Sequence, residues 1–386
     1  MSKNNTKRKL KSQQKLVIVL AVLLTVLIIV GIIIHIYEQK RYLQFDKNSK
    51  FEYLPIKEAV AQAEKVEGRE YQNFTIPENI DITAGDKLFT FTSYSKGGMS
   101  DQNSYAKKKV IELSKAFAGQ EPLETENFTA GGYHGFIGER YFFEYHSSDS
   151  FTAADDDVMR EYCVDAQDEY EKVYKIGVDD ISSVSYKLAG KDYSIQEALD
   201  FCTDYINNEL APFFQDDITT KPYAVYVMPN TKGEYYYSII YNLVYKGTEF
   251  SNFGRASMAE DFMMETYFHI EIAGDGLVNT CSVHSSRFRK DEKEVREIIS
   301  LESALDYLED YLAQYSGYEM TDISLQYCTR RDGIFIDEGE TRPMWVFTVS
   351  EYPSRYGDWS LGRYIYLDTI TGDVFCYDSS KVDFIF

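Results

Sequence analysis

The sequence predicts an α+β protein in which an N-terminal transmembrane helix precedes tandem modules, each built from one helix and a four-stranded antiparallel sheet. Three features lead to this prediction: an apolar run over residues 16–34, a helix-like segment that recurs 106 residues later, and many short runs in which aromatic and β-branched residues alternate with other residues. Apolar residues at every third or fourth position indicate helices, and strict alternation indicates strands.

The apolar run determines the expected location of the protein. Residues 16–34 contain a single polar side chain, Thr25, and a helix of that length rises about 28 Å, close to the thickness of the hydrocarbon core of a bilayer. Six basic residues and no acidic residue precede the run, which predicts an N-terminus that stays in the cytoplasm. We therefore expect a basic cytoplasmic tail (1–15), a transmembrane helix (16–37), a stalk (38–50) and an extracellular C-terminal domain, in a single-pass protein of the cell membrane.

A cleaved signal peptide is the alternative interpretation of the same run. Such peptides carry an apolar core of about 7–15 residues and a cleavage site of small residues directly after it. The run in this chain is longer, and the first small-x-small pattern, Ala59-Val60-Ala61, lies far downstream. A retained anchor fits these spacings better.

The charge of the chain limits its partners. It carries 40 Lys and Arg residues against 62 Asp and Glu residues, a formal net charge of −22. A field of this sign opposes binding to nucleic acid, which requires a basic face, and it favours cationic partners. The simpler interpretation is that self-repulsion keeps an acidic domain soluble.

The cysteines indicate a protein that is stabilised by its cores rather than by a framework of disulfide bonds. The chain has five cysteines, and none of them has C-x-x-C spacing. The sequence is compatible with one or two disulfide bonds. The odd number predicts at least one free thiol, buried as a small apolar side chain.

An internal repeat defines the C-terminal half. Residues 194–206 match residues 300–312, with six identical residues. Both segments begin with a serine that can cap a helix, and Glu197 completes a capping box in the first. Strand-like runs separated by Gly and Asp turns follow each helix. The repeat therefore predicts two modules, at residues 190–285 and 298–386.

The region before the first repeat has less regular patterns. Residues 54–65 and 105–118 have helical spacing, while residues 87–94 and 140–146 resemble strands. We expect residues 51–180 to form a further α+β extracytoplasmic domain, which would be a diverged copy of the repeat followed by a linker helix.

Three motifs of the second repeat resemble the PepSY-type modules of bacterial exported proteins. They are a helix that begins S-L-E-S-A-L at Ser300, the strand motif R-P-M-W-V-F from Arg342, and the closing hairpin D-T-I-T-G-D-V from Asp368. Similar modules occur in single-pass regulators of a cell-wall-sensing histidine kinase in Gram-positive bacteria, and the first repeat resembles them only loosely. The resemblance implies inhibition, chaperoning or regulation of a neighbouring protein by contact, and it carries over no catalytic residues.

Asp368 and Gly372 within the hairpin motif are interpreted as structural turn residues. Glycine adopts the positive φ that tight turns require, and an aspartate side chain can accept hydrogen bonds from the turn backbone. This explanation needs no chemistry from either residue.

Catalytic and metal-binding patterns are weak throughout. The five histidines are scattered and form no H-E-x-x-H motif, so no metal site is predicted. Acidic clusters such as residues 155–157 lack the spacing of a calcium loop. Calcium binding by such a cluster is kept as an alternative, because calcium prefers grouped oxygen ligands. There is no G-x-S-x-G motif, and Cys281 and His284 have no identifiable third partner. We expect no cofactor and no catalytic residues. The alternative is a pair of carboxylates that catalyses glycoside hydrolysis, because the separation of two acids is set by the tertiary structure.

An aromatic loop is the candidate contact surface. One proline and two glycines mark residues 352–362 as a loop, in which Tyr352, Tyr356 and Trp359 are expected to be exposed. We expect a non-enzymatic regulatory protein that acts by contact with another envelope protein, such as a sensor kinase or a secreted enzyme. The alternatives are a module that binds cell wall or a small ligand through exposed aromatics, and an envelope hydrolase.

Overall fold

The computed structural model describes most of the chain in a series of ranges. They are residues 20, 22–34, 37–38, 40–78, 80, 82–94, 99–119, 126–130, 133–146, 150–163, 170–230, 232–251, 262–263, 266–274, 276–284, 288–312, 318–331, 338–350 and 362–378.

The helices with defined bounds are α1 (Ile56–Val60), α2 (Ala63–Val66), α3 (Met99–Ala118), α4 (Asp156–Tyr162), α5 (Ile195–Tyr205) and α6 (Leu301–Tyr311). A π-helical turn (Ile206–Leu210) and a 3₁₀ turn (Ala211–Phe213) follow α5. The strands are β1 (Tyr53–Pro55), β2 (Phe74–Thr75), β3 (Leu88–Tyr94), β4 (Glu126–Ala130), β5 (Tyr133–Ile137), β6 (Tyr141–His146), β7 (Ser150–Asp155), β8 (Lys172–Lys175), β9 (Ser185–Leu188), β10 (Lys191–Ser194), β11 (Ile218–Pro229), β12 (Tyr235–Tyr245), β13 (Thr248–Glu249), β14 (Phe262–Met263), β15 (Tyr267–Ile272), β16 (Val278–His284), β17 (Phe288–Val295), β18 (Glu297–Ile299), β19 (Tyr318–Arg331), β20 (Glu338–Ser350), β21 (Gly362–Asp368) and β22 (Val374–Asp378).

Most of these strands belong to two large sheets. In the described ranges the first sheet has ten strands, in the order β4-β5-β6-β7-β16-β15-β12-β11-β8 with β13 beside β12. The second has eight strands: β14-β19-β20-β21-β22 form its main path, β3 joins β20 to β17, and β2 lies parallel to β19. The ladders β1–β18 and β9–β10 are separate and have two strands each.

This arrangement contradicts the predicted fold class of tandem helix-plus-four-strand modules. The predicted elements are present, because α5 precedes β11, β12, β15 and β16, and α6 precedes β19 to β22. However, β7 and β8 flank the first group of strands and β3 adds to β20 of the second, so each sheet is larger than one repeat. The protein is mainly β. Alternation in a sequence identifies a strand but not the neighbour with which its edge pairs.

The predicted transmembrane helix is also wrong. Residues 22–34 are helical. In the part of the chain that the structure describes, no helix is long and apolar enough to span a membrane. This finding contradicts the assignment of residues 16–37 and the single-pass cell-membrane location, with cytoplasmic N-terminus and extracellular domain, that depended on it.

The two repeated helices begin with the serine caps that the sequence predicts. Ser194 Oγ accepts a hydrogen bond from Glu197 N at 3.1 Å, and Glu197 Oε2 accepts one from Ser194 N at 2.9 Å, so the predicted capping box is confirmed. Ser300 Oγ accepts from Ser303 N at 3.1 Å. Both helices bury an apolar stripe against the sheets: Ile195, Ala198, Leu199 and Cys202 in α5, and Leu301, Ala304, Leu305 and Leu308 in α6.

The described cysteines confirm the prediction of a free, buried thiol. Cys163, Cys202, Cys281 and Cys328 are all free and buried. Burial raises the pKa of each of these thiols well above its ordinary value. Because the thiolate is the reactive form, such cysteines behave as small apolar side chains.

The two sheets meet where the hairpin of β12 and β13 contacts β19. Ser251 N donates to Tyr327 O at 2.8 Å, and Phe89 N donates to Tyr327 Oη at 3.0 Å. Aromatic rings pack around this point: Phe89, Phe91, Tyr245, Phe250 and Tyr327. The junction holds the turn after β12 against the start of β3.

Candidate functional site

The aromatic loop predicted from the sequence lies outside the described residues. Tyr352, Tyr356 and Trp359 all fall within residues 351–361. Their role as a contact surface therefore stays a prediction. The strands that precede and follow them, β20 and β21, pair directly with each other.

The other predicted pair, Asp368 and Gly372, lies in the turn between β21 and β22. Asp368 Oδ1 accepts hydrogen bonds from Ile370 N at 2.8 Å and from Thr371 N at 3.2 Å. Gly372 N donates to Asp368 O at 2.9 Å, and Gly372 has a φ of +78°. Both residues therefore take part in the geometry of the turn.

Asp368 also forms a partly buried ion pair. Arg342 Nη1 lies 2.9 Å from Asp368 Oδ2, and Arg342 Nη2 contacts both carboxylate oxygens of Glu340 at 2.9 Å. Burial raises the pKa of Asp368, and the charge of Arg342 opposes that shift. The pair connects β20 to the turn and so has a structural role.

A cleft with a charged lining lies at the junction of the two sheets, and we call it the junction cleft. Its volume is about 560 Å³. The cleft is lined by Arg41, Asp86, Lys87, Phe89, Lys246, Glu292 and Glu294. These residues come from the segment before β1, the start of β3, the turn after β12, and β17. Only tertiary packing brings them together.

Opposite charges are paired within the lining of the cleft. Glu294 Oε2 lies 3.3 Å from Arg41 Nη2 and 3.2 Å from Lys87 Nζ, so this carboxylate forms ion pairs with two cations. The Glu294 side chain is 14% exposed, compared with 40% for Arg41 and 52% for Lys87. The cationic groups are therefore more accessible to solvent than the carboxylate that they share.

Lys246 also lines the cleft. Its Nζ lies 2.7 Å from Glu292 Oε1 and 4.1 Å from the centre of the Phe89 ring. The Tyr245 hydroxyl donates to the same glutamate, and the Arg289 guanidinium carbon lies 4.3 Å from the centre of the Tyr245 ring. Contacts between a cation and an aromatic ring contribute about 0.5–1 kcal/mol at exposed sites. They hold the lysine in a defined position.

The backbone beside the cleft adopts an unfavourable conformation at two residues. Lys246 has a φ of +49° and Asp291 a φ of +56°, in the left-handed region that favours glycine. The neighbouring chain is held closely, because a side chain on Gly85 would stand 2.1 Å from the Lys246 carbonyl oxygen, and Gly85 N donates to Thr248 Oγ1 at 2.9 Å. Such conformations cost about 1–3 kcal/mol each and cluster at functional sites.

A second polar cluster lies on the ten-stranded sheet. Ser238 Oγ is 2.7 Å from His269 Nε2, and Glu271 Oε1 is 3.4 Å from the same nitrogen. Asn279 Nδ2 donates to Glu271 Oε2 at 2.9 Å. In a serine triad the histidine contacts the nucleophile through one ring nitrogen and the acid through the other. In this cluster both groups contact Nε2, so the arrangement differs from a triad.

Metal-ligating side chains form no candidate cluster among the described residues. In these ranges, no group of three or more His, Cys, Asp or Glu side chains could hold a metal ion. Asp155, from the acidic run considered for calcium, caps α4 by accepting from Asp157 N and Val158 N. It also pairs with Arg140 at 3.0 Å, so its oxygens are used within the fold.

Sequence reasoning missed the junction cleft. Arg41 and Glu294 are 253 positions apart, and single charged residues in a highly charged chain form no motif. One local signal was available: Lys246-Gly247 directly follows the long alternating strand β12, and glycine at such a place is typical of a hairpin turn. That signal indicates the turn but not what the turn contacts.

Comparisons with known proteins extend the description of the fold. No family model matches the chain, and no curated protein matches it. Among solved structures, the crystal structure of an uncharacterized protein from Eubacterium rectale ATCC 33656 is similar, with a TM-score of 0.50 and 15% sequence identity. The match covers 83% of this chain and 98% of that chain. At this identity the likeness concerns the fold alone, and the PepSY-type resemblance stays a prediction.

Proposed function

We propose that this chain is a non-enzymatic binding protein that acts by contact with another protein, and that the junction cleft is part of the contact surface. One observation carries the proposal. The cleft combines exposed charged groups of both signs with a backbone turn in an unfavourable conformation, at the place where the two sheets meet.

The lining favours a protein partner over a small molecule. Small-molecule sites are lined mainly by apolar and aromatic side chains, with few polar groups. In the junction cleft, Phe89 is the single apolar side chain among seven lining residues. Charged groups at protein interfaces guide encounter and fix orientation, so a charged lining suits contact with a complementary charged surface.

The chemistry of the cleft favours binding over catalysis. Glu292 and Glu294 each pair with a lysine, which is the arrangement of a structural ion pair rather than of a free general acid or base. At His269 on the ten-stranded sheet, Ser238 Oγ and Glu271 Oε1 both contact the same ring nitrogen, Nε2, which differs from the arrangement of a serine triad. The partner classes that the resemblance implies, a sensor kinase or a secreted enzyme, remain candidates.

Site-specific photo-crosslinking in cells tests the proposal. A photoreactive amino acid replaces Lys87 in the full chain, and in a matched control it replaces Lys232, which forms an exposed ion pair with Glu161 at 3.5 Å and is 46% exposed. We expect a defined protein to crosslink from position 87 and not from position 232. The same crosslinks from both positions, or none from position 87, would contradict the proposal.

A further inference from the structure

The second repeat is completed by a strand from the N-terminal region. In the first repeat β10 pairs with β9, and in the second β18 pairs with β1, each just before the serine that caps the helix. Tyr237 Oη donates to Tyr193 O at 2.6 Å in the first repeat. At the equivalent place in the second repeat, Trp345 Nε1 donates to Ile299 O at 2.9 Å. Strand β1 is therefore a fixed part of the second repeat, in the place that β9 holds in the first.

The chain before β1 has an anchored end and a weakly held part. Phe51 is the anchor, because it is 8% exposed and its ring fills the space beside Gly372. In residues 40–50, which we call the strap, no residue is buried. Leu43 and Phe45 are only partly buried against the core. Since apolar burial is the main favourable term in folding, the strap gains less from its contacts than the anchor does.

Ion pairs fasten the strap to β17 and β18. Arg41 Nη2 lies 3.3 Å from Glu294 Oε2 on β17, and Lys47 pairs with Glu297 on β18. A backbone hydrogen bond from Leu43 N to Glu294 O, at 2.9 Å, adds to them. The Arg41, Lys47 and Glu297 side chains are each at least 40% exposed. Ion pairs between groups this exposed contribute little to stability, and salt weakens them.

Arg296 lies between β17 and β18 and holds the strap from outside the cleft. Its guanidinium carbon is 3.6 Å from the centre of the Tyr42 ring. Its Nη2 is 3.4 Å from Oε1 of Glu38, just before the strap. Arg296 does not line the junction cleft. Its substitution therefore loosens the strap while leaving the lining unchanged.

The strap also forms part of the wall of the junction cleft, because Arg41 belongs to the lining. Glu294 contacts Lys87 Nζ at 3.2 Å as well as Arg41, so it keeps an ion-pair partner when the strap moves away. With the strap in place the Glu294 side chain is 14% exposed. Departure of Arg41 removes one of its neighbours and makes this part of the lining more accessible.

We propose that the strap is an autoinhibitory contact: it closes over the junction cleft, and it opens when its ion pairs break, which gives the partner protein access to the cleft. This consequence rests on the proposed function, whereas the opening is a property of the chain alone. The open and closed states present different surfaces beside Glu294. A partner that contacts this surface therefore binds the open state better and draws the equilibrium towards it.

Hydrogen exchange of the full chain, measured by mass spectrometry, tests the opening. We expect the Leu43 amide to exchange about fivefold to thirtyfold faster in Arg296→Gln, as loss of an ion pair and a ring contact predicts. Added salt should accelerate the same amide in the unchanged protein. The Ile299 amide, which donates to Thr369 O at 2.8 Å, is the internal reference and should keep its rate. Lys232→Gln, at a side chain that is 46% exposed, is the matched control.

Photo-crosslinking from position 87 tests the inhibitory role. A partner that binds only the open state gains apparent affinity in proportion to the open fraction. We therefore expect Arg296→Gln to raise the yield of the crosslinked partner by up to the same factor as the exchange rate. Lys232→Gln should leave the yield unchanged.

Two results of the exchange measurement would overturn the opening. An unchanged Leu43 rate in Arg296→Gln would show that these contacts do not hold the strap, and equal acceleration at Ile299 would show that the whole repeat unfolds. Faster exchange at Leu43 without a higher crosslinking yield would overturn the inhibitory role. Absence of any crosslinked protein would contradict the proposed function and the inhibitory role with it, while the exchange rates still decide whether the strap opens.

Discussion

The ring of Phe51 occupies the space in which a side chain on Gly372 would stand: an added Cβ would lie 2.0 Å from Phe51 Cε2. The Tyr53 hydroxyl donates to Ile370 O at 2.8 Å in the same region. The turn after β21 therefore supports the segment before β1, although the two are far apart in the chain. Gly372 is required both for the turn and for this contact.

Gly372→Ala tests this relationship. We expect the free energy of unfolding to fall by about 2–4 kcal/mol, because the positive φ costs about 1 kcal/mol and the overlap with Phe51 adds about 1–3 kcal/mol. Gly233→Ala is the control, since Gly233 has a φ of +77° and open space around it. This control should lower the free energy of unfolding only by the cost of the positive φ, about 1 kcal/mol. Urea unfolding of both variants measures the difference, and equal losses would show that Phe51 does not contribute.

Tyr327→Phe tests a buried hydrogen bond between β3 and β19 of the eight-stranded sheet, beside the place where the two sheets meet. The Tyr327 hydroxyl accepts from Phe89 N in the buried interior, and its removal leaves that N–H group without an acceptor. We expect a loss of about 1–3 kcal/mol in the free energy of unfolding. Tyr307→Phe, at a tyrosine whose ring lies 5.0 Å from Phe51, should change stability by less than about 0.5 kcal/mol. Similar losses in the two variants would argue against the hydrogen bond.

The capping box of α5 should make stability depend on pH. Hydrogen bonds from the Ser194 side chain and backbone lower the pKa of Glu197 below its ordinary value of 4.5. The folded protein therefore holds this proton less tightly than the unfolded chain, so the carboxylate stabilises the fold above the ordinary value. This contribution is lost as the pH falls through the lowered pKa.

Glu197→Gln isolates that dependence. The difference in unfolding free energy between the unchanged protein and Glu197→Gln should be present at neutral pH and shrink below about pH 4.5. In a Ser194→Ala background the same substitution should show no such trend, as a double-mutant cycle requires. A difference that stays constant over this pH range would refute the assignment.

Lys246→Gly separates stability from binding. Glycine adopts the left-handed φ without strain, which should stabilise the folded protein by about 1 kcal/mol. Loss of the ion pair and of the ring contact should destabilise it by about the same amount. We expect stability to stay within about 1 kcal/mol of the unchanged protein while crosslinking of the partner protein from position 87 weakens. Ala189→Gly, at a φ of +46°, is the control, and it should leave binding unaffected. Equal crosslinking from position 87 in both variants would show that Lys246 is not part of the contact surface.

Local structure was largely predictable from the sequence, while its assembly was not. Strands follow each repeated helix as the alternating runs predict, and both helices begin after the expected serines. The errors concern quantities that no local pattern contains: which strand pairs with a given edge, and whether an apolar run forms a membrane helix. The ten-stranded sheet joins β7 to β16, a pairing between regions that the sequence places in different domains.

The sequence by itself determined the features that depend on neighbours a few residues apart. The capping box of Ser194 with Glu197 and the turn that Asp368 closes are set by short-range hydrogen bonds and by φ preferences, which a local motif encodes. The tertiary structure decided the pairing of the sheet edges and the contact of Arg41 with Glu294. The physical reason is that backbone donors on a strand edge and single charges suit many partners equally, so the packing of the whole chain selects among them.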